Sequence, residues 1–144
     1  MITLNQLKHT LVNWFKSHGQ INDVYYLTDF DFNSERHIKY RGVNITYQES
    51  NLQGDFINHL YTVVIADLVE FDNPEMQDEI HSDSLQIAED FFAWLQTQYD
   101  FDFTITSSVQ PFIDDTADRA VGVSFTIELA VARDNNVCQI PSDN

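Results

Sequence analysis

The sequence predicts an α+β domain: a mainly antiparallel sheet of four to five strands with two helices packed on one face, in the order α-β-β-β-α-β-β. Three observations lead there. Apolar residues recur at helical spacing in two segments far apart in the chain, near 4–18 and 74–99. Other segments alternate apolar and polar residues with the period of a strand. The chain has 144 residues, 43% hydrophobic and 13% aromatic, enough to bury a core without staples. No repeat, low-complexity tract or Pro/Gly/Ser linker divides it, so residues 1–133 read as a single domain and 134–144 as an extended tail.

The first helix starts after Thr3, a good N-cap, and carries Leu4, Leu7, Leu11, Trp14 and Phe15 on one face. Gly19 stands where a helix ends. DVYYLTDFDF alternates Tyr26, Thr28, Phe30 and Phe32 against Tyr25, Leu27, Asp29 and Asp31. VNITYQES alternates in the same way, so the two are expected to be arms of a long hairpin over about 23–50, with a basic tip. NLQGD is a turn or bulge. HLYTVVIADLVEF is apolar on both faces and belongs in the middle of a sheet. Asn73-Pro74-Glu75 reads as N-cap, N1 and N2 of the second helix. Its stripe is Met76, Ile80, Ile87, Ala88, Phe91 and Leu95, and His81-Ser82-Asp83-Ser84 would fit a second N-cap, so the sequence leaves open whether the helix is continuous there. FDFTITSSVQPF is a strand whose Pro111 points to an edge or bulge. IDDTADR is a turn, and AVGVSFTIELAVARD is the most regular strand of all.

The net charge is −16, and the 77 residues from 42 to 118 hold sixteen carboxylates and no Lys or Arg. A reader of DNA or RNA needs cations for the phosphates, so that class is disfavoured. Acidity of this kind serves solubility by self-repulsion, or gives a face for a basic partner or for DNA that must slide past. No run approaches the ~20 apolar residues of a membrane span, and the amphipathic N-terminus lacks the form of a secretory signal. One cysteine, Cys138, makes no internal disulfide and suits a reducing compartment, so synthesis in the cytosol is expected.

The segment DLVEFDNPEMQDEIHSD (67–83) packs seven carboxylates into seventeen residues. As a metal-dependent DNA-processing site it would use Asp67, Glu70 and Asp72, oxygen ligands that suit magnesium or calcium. It lacks the glycine turn and alternating ligands of a calcium loop, and no lysine accompanies it. The five histidines are scattered without zinc spacing. Cys138 has no neighbouring base, no serine sits in a nucleophile elbow, and four glycines make no phosphate loop. The residues therefore predict no catalytic group, metal or cofactor. Contacts between chains are the better use of the unusual segments. The candidates are Arg36, Lys39 and Arg41 at the basic tip, Asp67, Glu70 and Asp72 at the acidic joint, and Val137 and Ile140 in the tail. In a ring of identical copies the tip of one would meet the joint of the next.

Two blocks carry a resemblance. Asp67-Leu68-Val69, an acidic loop, then Ser82-Asp83-Ser84-Leu85-Gln86-Ile87 is one. Gly122, Ile127 and Leu129 leading to Cys138-Gln139-Ile140-Pro141 is the other. Together they resemble small neck and tail ring proteins, of tail-terminator or tail-completion type, in crAss-like and related tailed phages of Bacteroidetes. Val123 departs from the aromatic expected after that glycine. The resemblance spans about half the chain and implies a virion structural protein, assembled in the host cytoplasm, that forms a homo-oligomeric ring. Its partners would be other neck, portal and tail proteins, with DNA only as passing genome. An acidic DNA mimic that inhibits a basic protein is the remaining alternative.

Overall fold

The computed structural model describes residues 2–26, 41–68, 74–114 and 120–133. They form α1 (Leu4–Ser17), β1 (Asp23–Tyr25), β2 (Gly42–Gln53), β3 (Phe56–Leu68), α2 (Pro74–Leu95), β4 (Asp102–Ile105), β5 (Gln110–Asp114) and β6 (Ala120–Ala132). The architecture is α+β with a mostly antiparallel sheet. The sheet has six strands in the order β1-β2-β3-β6-β4, and β5 also pairs with β6.

Helix α1 opens with a capping box. The Gln6 N–H donates to Thr3 Oγ1 (3.2 Å), and the Thr3 N–H donates to Gln6 Oε1 (2.9 Å), so two otherwise orphaned donors are satisfied reciprocally. Leu7, Leu11 and Phe15 are the residues it buries. Helix α2 begins at Pro74 and runs through His81–Ser84 without a break. The alternative of a second N-cap there is not realised, and Ser84 takes its place in the buried stripe between Ile80 and Ile87. The helices meet through aromatic rings: Trp14 stacks on Trp94 at 5.5 Å, and Phe15 lies 4.7 Å from Phe91. His18 Nε2, just past the end of α1, is 3.0 Å from Asp90 Oδ2 of α2.

Three 12- or 13-residue strands carry the sheet. Register aligns Val43, Ile65 and Val123, then Ile45, Val63 and Phe125, then Tyr47, Tyr61 and Ile127. These rows fall on the helix side of the sheet, and all but the exposed Tyr47 pack with Leu11, Phe15, Ile87 and Phe91 in one apolar cluster. The next rows point the other way and are largely polar. There Thr62 stands beside Thr46 and Thr126, and Gln48 Nε2 donates to Thr62 Oγ1 (3.2 Å). Among the described residues no helix is long and apolar enough to cross a membrane.

Two expectations about the strands need correction. Residues 23–25 are not the outgoing arm of a hairpin, since β1 pairs in parallel with Gly42–Asn44 of β2. A parallel pair needs a crossover connection, and residues 27–40, which hold Arg36 and Lys39, lie outside the described residues. The hairpin that forms joins β2 to β3 through Gly54-Asp55, with Gly54 at φ +59°, a conformation glycine adopts without penalty. The stretch 101–112 is two short strands instead of one, which brings the sheet to six. At the break, Ser107 replaces a ladder bond: its Oγ accepts from the Thr126 N–H (2.9 Å), while the Thr106 N–H donates to the Thr126 carbonyl (3.0 Å).

Candidate subunit interface

Of the eight residues marked in the sequence, the structure describes two, Arg41 and Asp67, and it joins them. Arg41 immediately precedes β2, and Asp67 is the penultimate residue of the neighbouring β3. Arg41 Nη2 lies 3.2 Å from Asp67 Oδ2 and 3.4 Å from Asp83 Oδ2 on α2. Arg41 Nη1 donates to Gln20 Oε1 (3.2 Å), beyond α1, and its carbonyl accepts from the Asn22 N–H (2.9 Å). One planar guanidinium thus holds the post-α1 turn, the end of β3 and the middle of α2. The contact expected between the tip of one copy and the joint of the next is made, for this pair, within one chain. Glu70, Asp72, Val137 and Ile140 lie outside the described residues.

This geometry also bears on the metal reading. Asp67 Oδ2 is engaged by Arg41, and Asp67 Oδ1 accepts from the Leu68 N–H (2.8 Å). Among the described residues no three His, Cys, Asp or Glu side chains converge as metal ligands would.

A second polar group was not legible in the sequence. Ser50 and His59 face each other across the β2–β3 ladder, and Ser50 Oγ lies 2.6 Å from His59 Nδ1. The Tyr47 hydroxyl is hydrogen-bonded to the same Ser50 oxygen. A hydroxyl against an imidazole is the first half of a nucleophilic pair. Here no described carboxylate orients the ring, and the pair are facing neighbours on the ladder just past the register shift between Tyr47 and Glu49. Burial pushes the His59 imidazole below its ordinary value, because the charged form loses its solvation. Burial likewise pushes the Tyr61 phenol well up. The contribution of neutral His59 to stability is complete above the unfolded value of about 6.5 and is lost as pH falls through the lower folded value. Wild type is therefore expected to lose more stability than His59→Asn between about pH 7 and pH 5. Urea titrations of both proteins at the two pH values check this, and parallel losses would refute it.

The sheet's lateral edges are the more unusual surfaces. On the β2 side every residue from Tyr47 to Gln53 is exposed, and Leu52 is 66% and Phe56 44% accessible. β1 covers β2 only as far as Asn44. On the far side, Ile105 of β4 is 41% and Ile113 of β5 54% accessible. Residues 103–113 contain no Asp, Glu, Lys or Arg across eleven positions. One other run is as long, 56–66, and it is the central strand β3. Edge strands ordinarily carry charge that blocks pairing with other chains. The missing charge of 103–113 was the signal available in the sequence, and only the strand order gives it meaning.

No protein-family model matches the chain, and no curated protein matches it either.

Proposed function

We propose that the chain is a non-enzymatic virion protein of a tailed phage, closing head-to-tail into a homo-oligomeric ring at the portal–neck–tail junction. The observation that carries this reading is the pair of unlike, charge-poor edges with exposed aliphatic and aromatic side chains at opposite sides of one sheet. Unlike edges support heterologous contacts, and such contacts close into rings when the rotation permits. The α+β architecture, and the resemblance of the motifs at 67–87 and 122–141 to those of phage neck and tail proteins, support the same reading. Other neck, portal and tail proteins are its partners in the virion.

The charge fits passage of DNA. Carboxylates along a channel repel phosphates, so a genome moves through without being held. The cation-free block from 42 to 118 supplies that surface. A virion map with the channel lined by neutral or basic groups of this chain would remove the repulsion argument.

Light scattering coupled to size exclusion gives the direct test. A molar mass several times 16.7 kDa is expected, and mass spectrometry of purified virions is expected to find the chain. A monomer or dimer that copurifies with a basic protein, absent from virions, points instead to an acidic DNA mimic.

A further inference from the structure

We infer that the ring contact is strand addition: β4 of one copy pairs antiparallel with the exposed stretch of β2 in the next, making one sheet continuous between subunits. The inference rests on the ring reading and specifies its interface. Register supplies the first argument. Asp102 is opposite Ala130, Ala130 opposite Asn58, and Asn58 opposite Asn51. Ile105 leads in the same way through Ile127 and Tyr61 to Tyr47. The four residues of β4 therefore stand level with residues 47–51 of β2, the stretch left exposed where β1 ends. Copies related by rotation about an axis along the strands bring these two segments side by side without sliding.

Strand direction agrees. β2, β3, β6 and β4 are antiparallel in succession, so β4 runs opposite to β2. A second copy in the same orientation sets its β2 antiparallel to the first copy's β4, and the alternation continues across the boundary. Antiparallel ladders are the more stable kind. Side-chain direction agrees as well, because Ile127 and Tyr61 both face the helices. Ile105 and Tyr47, level with them, fall on that same side and would meet as an apolar pair.

Charge favours a second copy as the occupant. Copies carrying −16 each repel, so contact is least costly where carboxylates are sparse. At the matched level Asp102 faces Asn51 and Glu49 faces Thr104, and no two carboxylates face each other. The edge needs nothing beyond an open ladder on each side, and among the described residues neither the 47–53 stretch of β2 nor β4, three strands apart, has a second strand partner.

Cysteine pairing tests the contact. In a Cys138→Ser background, Tyr47→Cys with Ile105→Cys is expected to give, on oxidation, a ladder of covalent multimers on a non-reducing gel. Each cysteine alone is expected to give monomer. A dimer from Tyr47→Cys alone would mean a two-fold β2–β2 contact and would overturn the inference. A ring by light scattering with no ladder would overturn it while leaving the ring standing, and a monomer at the highest soluble concentration would overturn both. A chain ending at Arg133 is expected to keep the ladder, whereas its loss hands the edge to the C-terminal segment. Ile105→Lys, folded by circular dichroism, is expected to dissociate the ring. Adding Tyr47→Glu is expected to restore it, and failure of that rescue counts against the pairing.

Discussion

Gly122→Ala is expected to leave little folded protein. Gly122 lies in β6 opposite Ala66 of β3, and a Cβ there would fall 1.7 Å from the Ile65 carbonyl oxygen, 2.7 Å from its carbon and 2.8 Å from the Ala66 Cα. All three are backbone atoms, so no side-chain rotation relieves the overlap. β3 cannot retreat, because β2 is hydrogen-bonded along its other edge over the same residues. The two longest ladders must therefore separate where they enclose the core. The cost is expected to exceed about 4 kcal/mol, the range reserved for specific structural defects, against roughly 5–15 kcal/mol of total stability. In a chain of this size that lowers Tm by roughly 10–15 °C or removes the soluble protein altogether. Two other glycines calibrate the result. Gly19 has open space around its Cβ position, so Gly19→Ala is expected within about 0.5 kcal/mol of wild type. Gly54, at φ +59° in the β2–β3 turn, is expected to cost about 1 kcal/mol as alanine. Thermal melts followed by circular dichroism rank the three. A Gly122→Ala melt within a few degrees of Gly19→Ala would refute the account.

Gly122 also marks the boundary of what the sequence can specify. β6 was legible because Val121, Val123, Phe125, Ile127, Leu129 and Val131 alternate without a break, and β3 because both of its faces are apolar. A lone glycine in such a run signals a close approach, but which backbone approaches is a matter of register. Direction is equally invisible: the alternation of residues 23–26 suits a parallel and an antiparallel strand alike, and the expected hairpin failed there. α2 is ambiguous for a local reason. Ser84 is a polar residue in an apolar stripe, and serine is a common N-cap, so a continuous helix and an interrupted one read alike. The edge surfaces depend on strand order, which no periodicity carries. The same run of uncharged residues means a buried strand at 56–66 and an open edge at 103–113.

Arg41→Met is expected to be the most costly change on the polar surface, about 2–3 kcal/mol, and its cost is expected to shrink with salt. Arg41 is the last cation before the 77-residue block that has none, and its guanidinium lies against two of that block's carboxylates, Asp67 and Asp83. Methionine keeps much of the stem but leaves those acids near each other with no countercharge. Removing one partner of a fully buried pair costs roughly 3–5 kcal/mol. Arg41 and Asp67 are partly buried and Asp83 is half exposed, so solvent screening reduces the figure. Raising salt from about 0.05 M to 0.5 M shortens the Debye length from ~14 Å to ~4 Å and weakens the remaining repulsion. The gap between variant and wild type in urea midpoints should therefore narrow. Arg41→Lys keeps the charge but loses the fork that reaches Gln20 and both acids together, so it is expected to fall between them. Asp83→Asn should cost less than Arg41→Met, since it removes the more exposed partner and leaves Arg41 with Asp67. A variant within 0.5 kcal/mol of wild type at low salt would show that the guanidinium merely lies on the acids. The matching assembly measurement is separate. Since Arg41 is held within its own chain, an Arg41→Met protein that still folds at low temperature should keep the oligomeric mass of wild type, whereas Ile105→Lys should not. That division, stability at the Arg41 cluster and assembly at the sheet edges, is the outcome that distinguishes a folding contact from a contact between copies.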